Sequence, residues 1–143
     1  MFTLVMEANT SKSLAQTFAY FTSVGPEDAK IAKPLKSRRL VREEGLVAEV
    51  EDEIEFFGVR TTIRGRRVIR DERHWHVTNI GRFGRTEGEW TLEEDSGTRI
   101  RVRTEVYPRG INHVLLPLVR SRLQRILQGE LDDYVRALES DLT

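Results

Sequence analysis

LVAEVEDEIEFFGVRTTIRGRRVI, residues 46–69, reads as one β-hairpin. Take Phe57-Gly58 as the turn and pair outward. Glu55 then meets Arg60, Glu51 meets Arg64 and Glu49 meets Arg66. The alternate positions bring Phe56 to Val59, Ile54 to Thr61 and Leu46 to Ile69. A single register thus collects opposite charges on one face and mostly apolar side chains on the other. That is the pattern of an antiparallel sheet with one wet face. The charges read as a solvated face rather than a binding surface.

Downstream the pattern repeats. A turn at Asp95-Ser96-Gly97 sets Glu93 opposite Arg99 and Glu89 opposite Arg103. The other face pairs Leu92 with Ile100, Trp90 with Val102 and Thr86 with Val106, so Trp90 is expected to be buried inward. Between the hairpins, residues 73–80 form another strand with two open registers. A two-residue turn at Asp71-Glu72 points His74 and His76 inward; a one-residue bulge points Trp75 and Val77 inward, which apolarity favours.

Upstream, residues 2–7 read as a first strand. Asn9, Thr10 and Ser11 offer N-cap side chains for a helix over 11–22 with Leu14, Phe18 and Phe21 on one face. Glu27 to Lys33 reads as a second short helix stopped before Pro34. After Pro108 and Gly110, residues 111–141 read as a long helix. Its stripe is Val119, Leu123, Leu127, Leu131, Val135 and Leu138. Pro117 should kink it near its start, or mark where the regular helix begins. Residues 114–119 are apolar on nearly every side, so they border a cavity as a gate, or dock on a partner such as a second copy in a homodimer. The whole is an α+β order in which the last helix covers one face of a single sheet.

The chain has 143 residues, 38% apolar and 32% charged, with a formal net charge of zero. This suits one soluble domain over 1–143 and argues against a general nucleic-acid or membrane binder. There is no Cys, no membrane-span-length apolar run and no leader in residues 1–8, which fits the cytoplasm. Walker, G-x-S-x-G and H-E-x-x-H motifs are absent. His74 and His76 share a strand face but lack a third ligand nearby, so no metal or other cofactor is expected.

Several stretches together carry a resemblance. They are residues 9–21 after a first strand, GEWTLEE (88–94), DSGTRIRV (95–102), YPRG (107–110) and the Pro-containing apolar entry to a Leu- and Arg-rich final helix. On these the chain resembles the START-like superfamily, which includes the polyketide cyclase/dehydrase family and birch-pollen-allergen-like proteins. The resemblance implies a helix-grip fold: a curved antiparallel sheet of six or seven strands wrapped around a long C-terminal helix, with two short helices after the first strand. It also implies an internal cavity for lipids, polyketides, quinones or other apolar ligands. Some members catalyse cyclisation or dehydration, and others are carriers or assembly factors. Many relatives carry a Trp just after the first helix; here that region is Thr22-Ser-Val-Gly-Pro.

The registers above place Asp52, Thr61 and Arg67 on the inner face, with Thr86 and Thr104 beside them. Buried charges need partners, so Asp52 and Arg67 pair with each other, meet a ligand, or reach water at an edge. Phe18, Phe21, Ile54, Phe56, Ile63, Trp75, Trp90 and Val106, with Leu115, Leu118 and Val119 on the helix, are the candidate ligand-binding wall. Arg122 either reaches in beside the helix stripe or snorkels outward. The expected function is binding or transport of an apolar small molecule. The alternatives are a cyclase or dehydratase using Asp52, Arg67 or a His, and a protein-assembly factor.

Overall fold

The computed structural model describes residues 1–140. β1 (Phe2–Thr10) leads into α1 (Leu14–Thr22) and a short 3-10 helix (Pro26–Lys30). Six strands follow: β2 (Leu35–Glu44), β3 (Val47–Phe56), β4 (Val59–Asp71), β5 (His74–Gly81), β6 (Gly84–Glu94) and β7 (Thr98–Pro108). α2 (Asn112–Leu118) and α3 (Arg120–Ser140) end the described chain. The strands form one antiparallel sheet in the order β1-β7-β6-β5-β4-β3-β2. This is the helix-grip arrangement.

Both hairpin registers stand as the charge pattern set them. Glu55 faces Arg60, Glu49 faces Arg66, Glu93 faces Arg99 and Trp90 faces Val102. Leu46 departs from the pattern. Its carbonyl accepts from Ile69 N, but its side chain lies beyond the strand and is exposed. β4 carries a register shift between Ile69 and Asp71, so the bulged alternative holds and Trp75 turns inward to 1% exposure. His74 and His76 therefore lie on the outer face. His74 bonds Asp71, and His76 lies between Glu87 and Glu89.

The helices differ from the sequence expectation in three ways. β1 runs on to Thr10, and α1 starts only at Leu14, because the cap is Ser13. Its Oγ accepts from Gln16 N at 3.1 Å, while Gln16 Oε1 accepts from Ser13 N at 3.2 Å. The second helix is a 3-10 turn that stops at Lys30, with Asp28 Oδ2 accepting from Gly25 N. The long helix is two helices, broken at Val119, whose φ and ψ of −105° and 15° lie outside the helical range. Pro117 lies inside α2, two residues before the break, where its ring removes the donor that would reach the His113 carbonyl and weakens the last turn. The expected last residue, Asp141, lies outside the described residues.

α3 is tied to the sheet edge by three side chains one turn apart. Arg120, Gln124 and Gln128 donate to the carbonyls of Thr3, Val5 and Glu7 on β1. Gln128 Oε1 also accepts from Glu7 N at 3.2 Å. Two residues of strand advance roughly 6.7 Å and four of helix about 6 Å, so the two ladders stay in step. The edge that β1 would otherwise present is thereby covered.

Two groups of buried apolar side chains hold the sheet. One centres on Trp75, Leu92, Ile100 and Val102 with Leu123, Leu131 and Val135 of α3. The other joins Ala32 and Leu35 to Ile54 and Ile63.

Candidate functional site

Between the inner face of the sheet and α3 lies a cavity of about 730 Å³. Its wall has the alternation of the strands behind it. β3 contributes Ala48, Val50, Asp52, Ile54 and Phe56, every second residue; β4 contributes Thr61, Ile63, Gly65 and Arg67. Phe21, Trp75, Trp90, Thr104 and Val106 complete the sheet and α1 sides, and Leu115, Leu118 and Val119 stand at the helix break. All but two of the residues expected from the sequence are on this wall, Thr86 among them.

The other two are not on it. Phe18 packs edge-on against Trp75 at 5.8 Å between centroids and belongs to the apolar core. Arg122 points outward and lies over the Phe57 ring, 5.2 Å from its centroid. Trp90 faces inward as expected but is only part-buried. One side stacks on Trp75 at 5.4 Å, and the ring also lines the cavity.

Asp52 and Arg67 are buried, at 3% and 7% exposure, so the reading that they reach water at an edge is wrong. Nor do they pair with each other. Asp52 is held by Arg38, which the sequence reading missed. Arg38 Nε and Nη2 donate to the two Asp52 oxygens at 2.9 Å each, and Nη1 donates to Asp28 Oδ2 at 2.7 Å. This planar fork uses all three guanidinium nitrogens. Burial works against the charge, yet the bonds to Asp52 outweigh it and raise the Arg38 pKa. Arg67 donates to the Thr22 carbonyl, and its nearest carboxylate is Glu43 at 4.0 Å. Burial lowers its pKa, and Glu43 only partly opposes this. Arg67 Nε and Thr61 Oγ1, both on the inner row of β4, have no hydrogen-bond partner among the described residues.

α3 adds two polar groups that the sequence reading also missed. Glu130 and Tyr134, one turn apart, line the cavity beside Leu127 and Leu131. Burial pushes the Glu130 carboxyl up to about 7; Arg38 draws it down, while Asp52 and Asp133 push it further up. Burial, then the Glu130 charge, also raises the Tyr134 hydroxyl. The physical reason is plain. Burial penalises the Glu130 carboxylate, and the nearby Arg38 guanidinium is already bonded to Asp52 and Asp28, so its pull only partly offsets that penalty. Below about pH 7, where Glu130 keeps its proton, Glu130 and Tyr134 thus offer two neutral O–H donors on an otherwise largely apolar wall.

The sequence matches the family model described as polyketide cyclase/dehydrase and lipid transport over residues 12–133. The chain belongs to that family. A search of curated proteins found no significant match. Among solved structures, the ZhuI aromatase/cyclase from Streptomyces sp. R1128 superposes with a TM-score of 0.87 at 13% identity, covering 99% of this chain and 96% of that one. TTHA0849 from Thermus thermophilus gives 0.77 at 19% identity, covering 97% and 95%. Ara h 8.0201 gives 0.76 at 18% identity, covering 98% and 99%. At these identities the likeness is one of fold, and it agrees with the helix-grip architecture described above. No helix among the described residues is long and apolar enough to cross a membrane.

Proposed function

We propose that this protein binds an apolar small molecule in the cavity, with a neutral oxygen of the ligand, a carbonyl or hydroxyl, at Glu130 and Tyr134. The observation that carries this is a cavity of about 730 Å³ with Ile, Val, Leu, Phe and Trp walls and a convergent polar group. That volume and lining suit a small-molecule site. Apolar burial supplies affinity, at about 25 cal/mol per Å² before the costs of association. The polar group then fixes orientation. A ligand carboxylate fits poorly beside Asp52 and Glu130, whereas a ketone or phenol oxygen can accept hydrogen bonds from the Glu130 and Tyr134 hydroxyls. Elsewhere on the inner row of β4, a ligand acceptor would also satisfy Arg67 Nε. The family description, which names both cyclases and lipid transport, agrees with such a ligand class.

Native mass spectrometry before and after solvent extraction tests the proposal. One apolar molecule per chain, restored by adding lipids, quinones or aromatic polyketones, supports it. Failure of the extracted, folded protein to take up any member of such a panel would sink it.

A second reading is favoured by one observation. A carboxyl titrating at about 7 is poised for acid–base work. Glu130, rather than the Asp52, Arg67 or His expected earlier, is the group free to do it. Asp52 is locked by Arg38, Arg67 is held at Thr22, and His74 and His76 lie outside the cavity. On a poly-ketone, Glu130 would move the proton of an enolisable carbon and Tyr134 would hold the carbonyl oxygen. Glu130→Gln should then abolish cyclisation or dehydration while binding persists. A variant that turns over at the wild-type rate removes this reading.

A further inference from the structure

The cavity wall reaches solvent where the β3–β4 turn, the β5–β6 turn and α2 meet. Phe57, Val59, Leu115 and Leu118 line the cavity and are also exposed, Leu118 to 77%. Ile111 and Val114 extend this apolar surface, and no residue of α2 is buried. A soluble surface rarely gathers so many large apolar side chains without a partner.

The charge around the patch that lacks an ion-pair partner is basic, since Glu53 and Glu55 beside the β3–β4 turn are paired with Arg60 and Lys36. Residues 108–129 contain no Asp or Glu but include Arg109, Arg120, Arg122 and Arg125. Arg82 of the β5–β6 turn also lines the cavity mouth and is exposed. On the sheet's outer face, arginines have carboxylate partners: Arg39 with Glu51, Arg42 with Glu49, Arg99 with Asp95, Arg101 with Glu7. Among the described residues, Arg82, Arg109, Arg120 and Arg122 have none; Arg120 and Arg122 instead lie over the rings of Phe2 and Phe57. The chain is neutral as a whole, so the unpaired guanidinium charge here is a local excess.

We propose that this face docks peripherally on an anionic lipid bilayer. Apolar tips set among unpaired arginines suit the boundary between headgroups and acyl chains, where the tips lose water and the guanidiniums meet phosphate. The patch is built of two turns and one short helix standing side by side. A fluid headgroup layer accepts such separate projections, whereas an acidic protein would have to match their shape. The docking is independent of what fills the cavity. It would, however, turn the cavity mouth to the bilayer and let an apolar ligand pass without crossing water.

Sedimentation with vesicles tests it. The protein should pellet with phosphatidylcholine vesicles containing phosphatidylserine and remain in solution with phosphatidylcholine alone. Arg109→Glu/Arg122→Glu should reduce partitioning at least about tenfold. Val114→Ser/Leu118→Ser should do the same by removing apolar contact without changing charge. All four positions are exposed, so circular dichroism should match the wild type. Equal binding to both vesicle types, or none to either, overturns the proposal. So does full binding by the serine variant, which would show simple charge adhesion. Heparin capture without vesicle binding would assign the arginines to an acidic macromolecule instead. A dimer lost in the serine variant, again without vesicle binding, would assign the patch to a second copy.

Discussion

A carboxyl that titrates at about 7 inside a fold, against 4.5 for an ordinary Glu, leaves a signature in stability. Between those values, the folded state keeps a proton that the unfolded chain has lost. The Glu130 contribution therefore falls as pH rises from about 4.5 to about 7, and the cost is complete above that. Glu130→Gln should be the more stable protein at pH 8, by about 1–3 kcal/mol, and equal to the wild type near pH 4. Urea titrations at the two values check this; a variant less stable at pH 8 would mean that Glu130 is ionised and well paired. A neutral ligand displaces water and disfavours the carboxylate further, so its affinity should drop as pH passes 7, and the Gln variant should lose that dependence. The paired Trp rings give a second contrast. Trp75→Ala removes a fully enclosed ring and should cost about 3–5 kcal/mol. Both rings line the cavity, but Trp90 is the less buried, so Trp90→Ala should cost less stability and more ligand affinity. Equal destabilisation would indicate a filled interior. At this scale the sequence was partly legible. Strand parity put Asp52, Thr61 and Arg67 inside, because period-two alternation needs only a register. Arg38 was hidden, since β2 carries register shifts after Leu35 and Leu40 that alter which residues face in. Glu130 and Tyr134 do lie at helical spacing beside the Leu127–Leu131 stripe, and that spacing was the available signal.

Elements were more legible than single side chains, because two charge ladders agreed on their own turns. Those ladders should nonetheless contribute little energy. Glu51 meets Arg39 at 3.4 Å, and both are solvent-accessible. Glu51→Gln should therefore cost under about 1 kcal/mol in chemical denaturation. A loss of several kcal/mol would place Glu51 inside and reverse the β3 faces. Charge alternation thus records register without supplying much stability. The helix ends were less legible. Ser13 competes as a cap with three earlier polar residues, and only the extent of β1 decides between them. Pro117 signalled a disturbance, but whether it bends or breaks the helix depends on what lies beneath. Here the underside of α2 is cavity and solvent, so no packing restores the turn. Leu118, read as part of a gate, stands mostly outward at the rim, and a charged side chain there can reach water instead of plugging the mouth.

For the whole molecule, the order of elements determined the architecture: a first strand returned to the edge, a meander, and a final helix with one apolar stripe. The cavity itself was not written in any single residue. It arises because α3 covers the inner face while Gly65, Gly88 and the Thr side chains of that face leave volume unfilled. A ligand that fills it should stabilise the fold by mass action, about 2.7 kcal/mol at a hundredfold excess over Kd, or roughly 5–10 °C in Tm. The central claim is that this interior, rather than the surface, holds an apolar molecule. Fluorescence titration with the neutral probe N-phenyl-1-naphthylamine tests it most directly, in the extracted wild type and in two filled variants, Thr104→Trp and Thr61→Phe. Saturable binding of one probe per chain by the wild type, weakened at least about tenfold in a filled variant whose circular dichroism is unchanged, is the predicted result. Undiminished binding in both folded variants, or no saturable binding by the wild type, would contradict it.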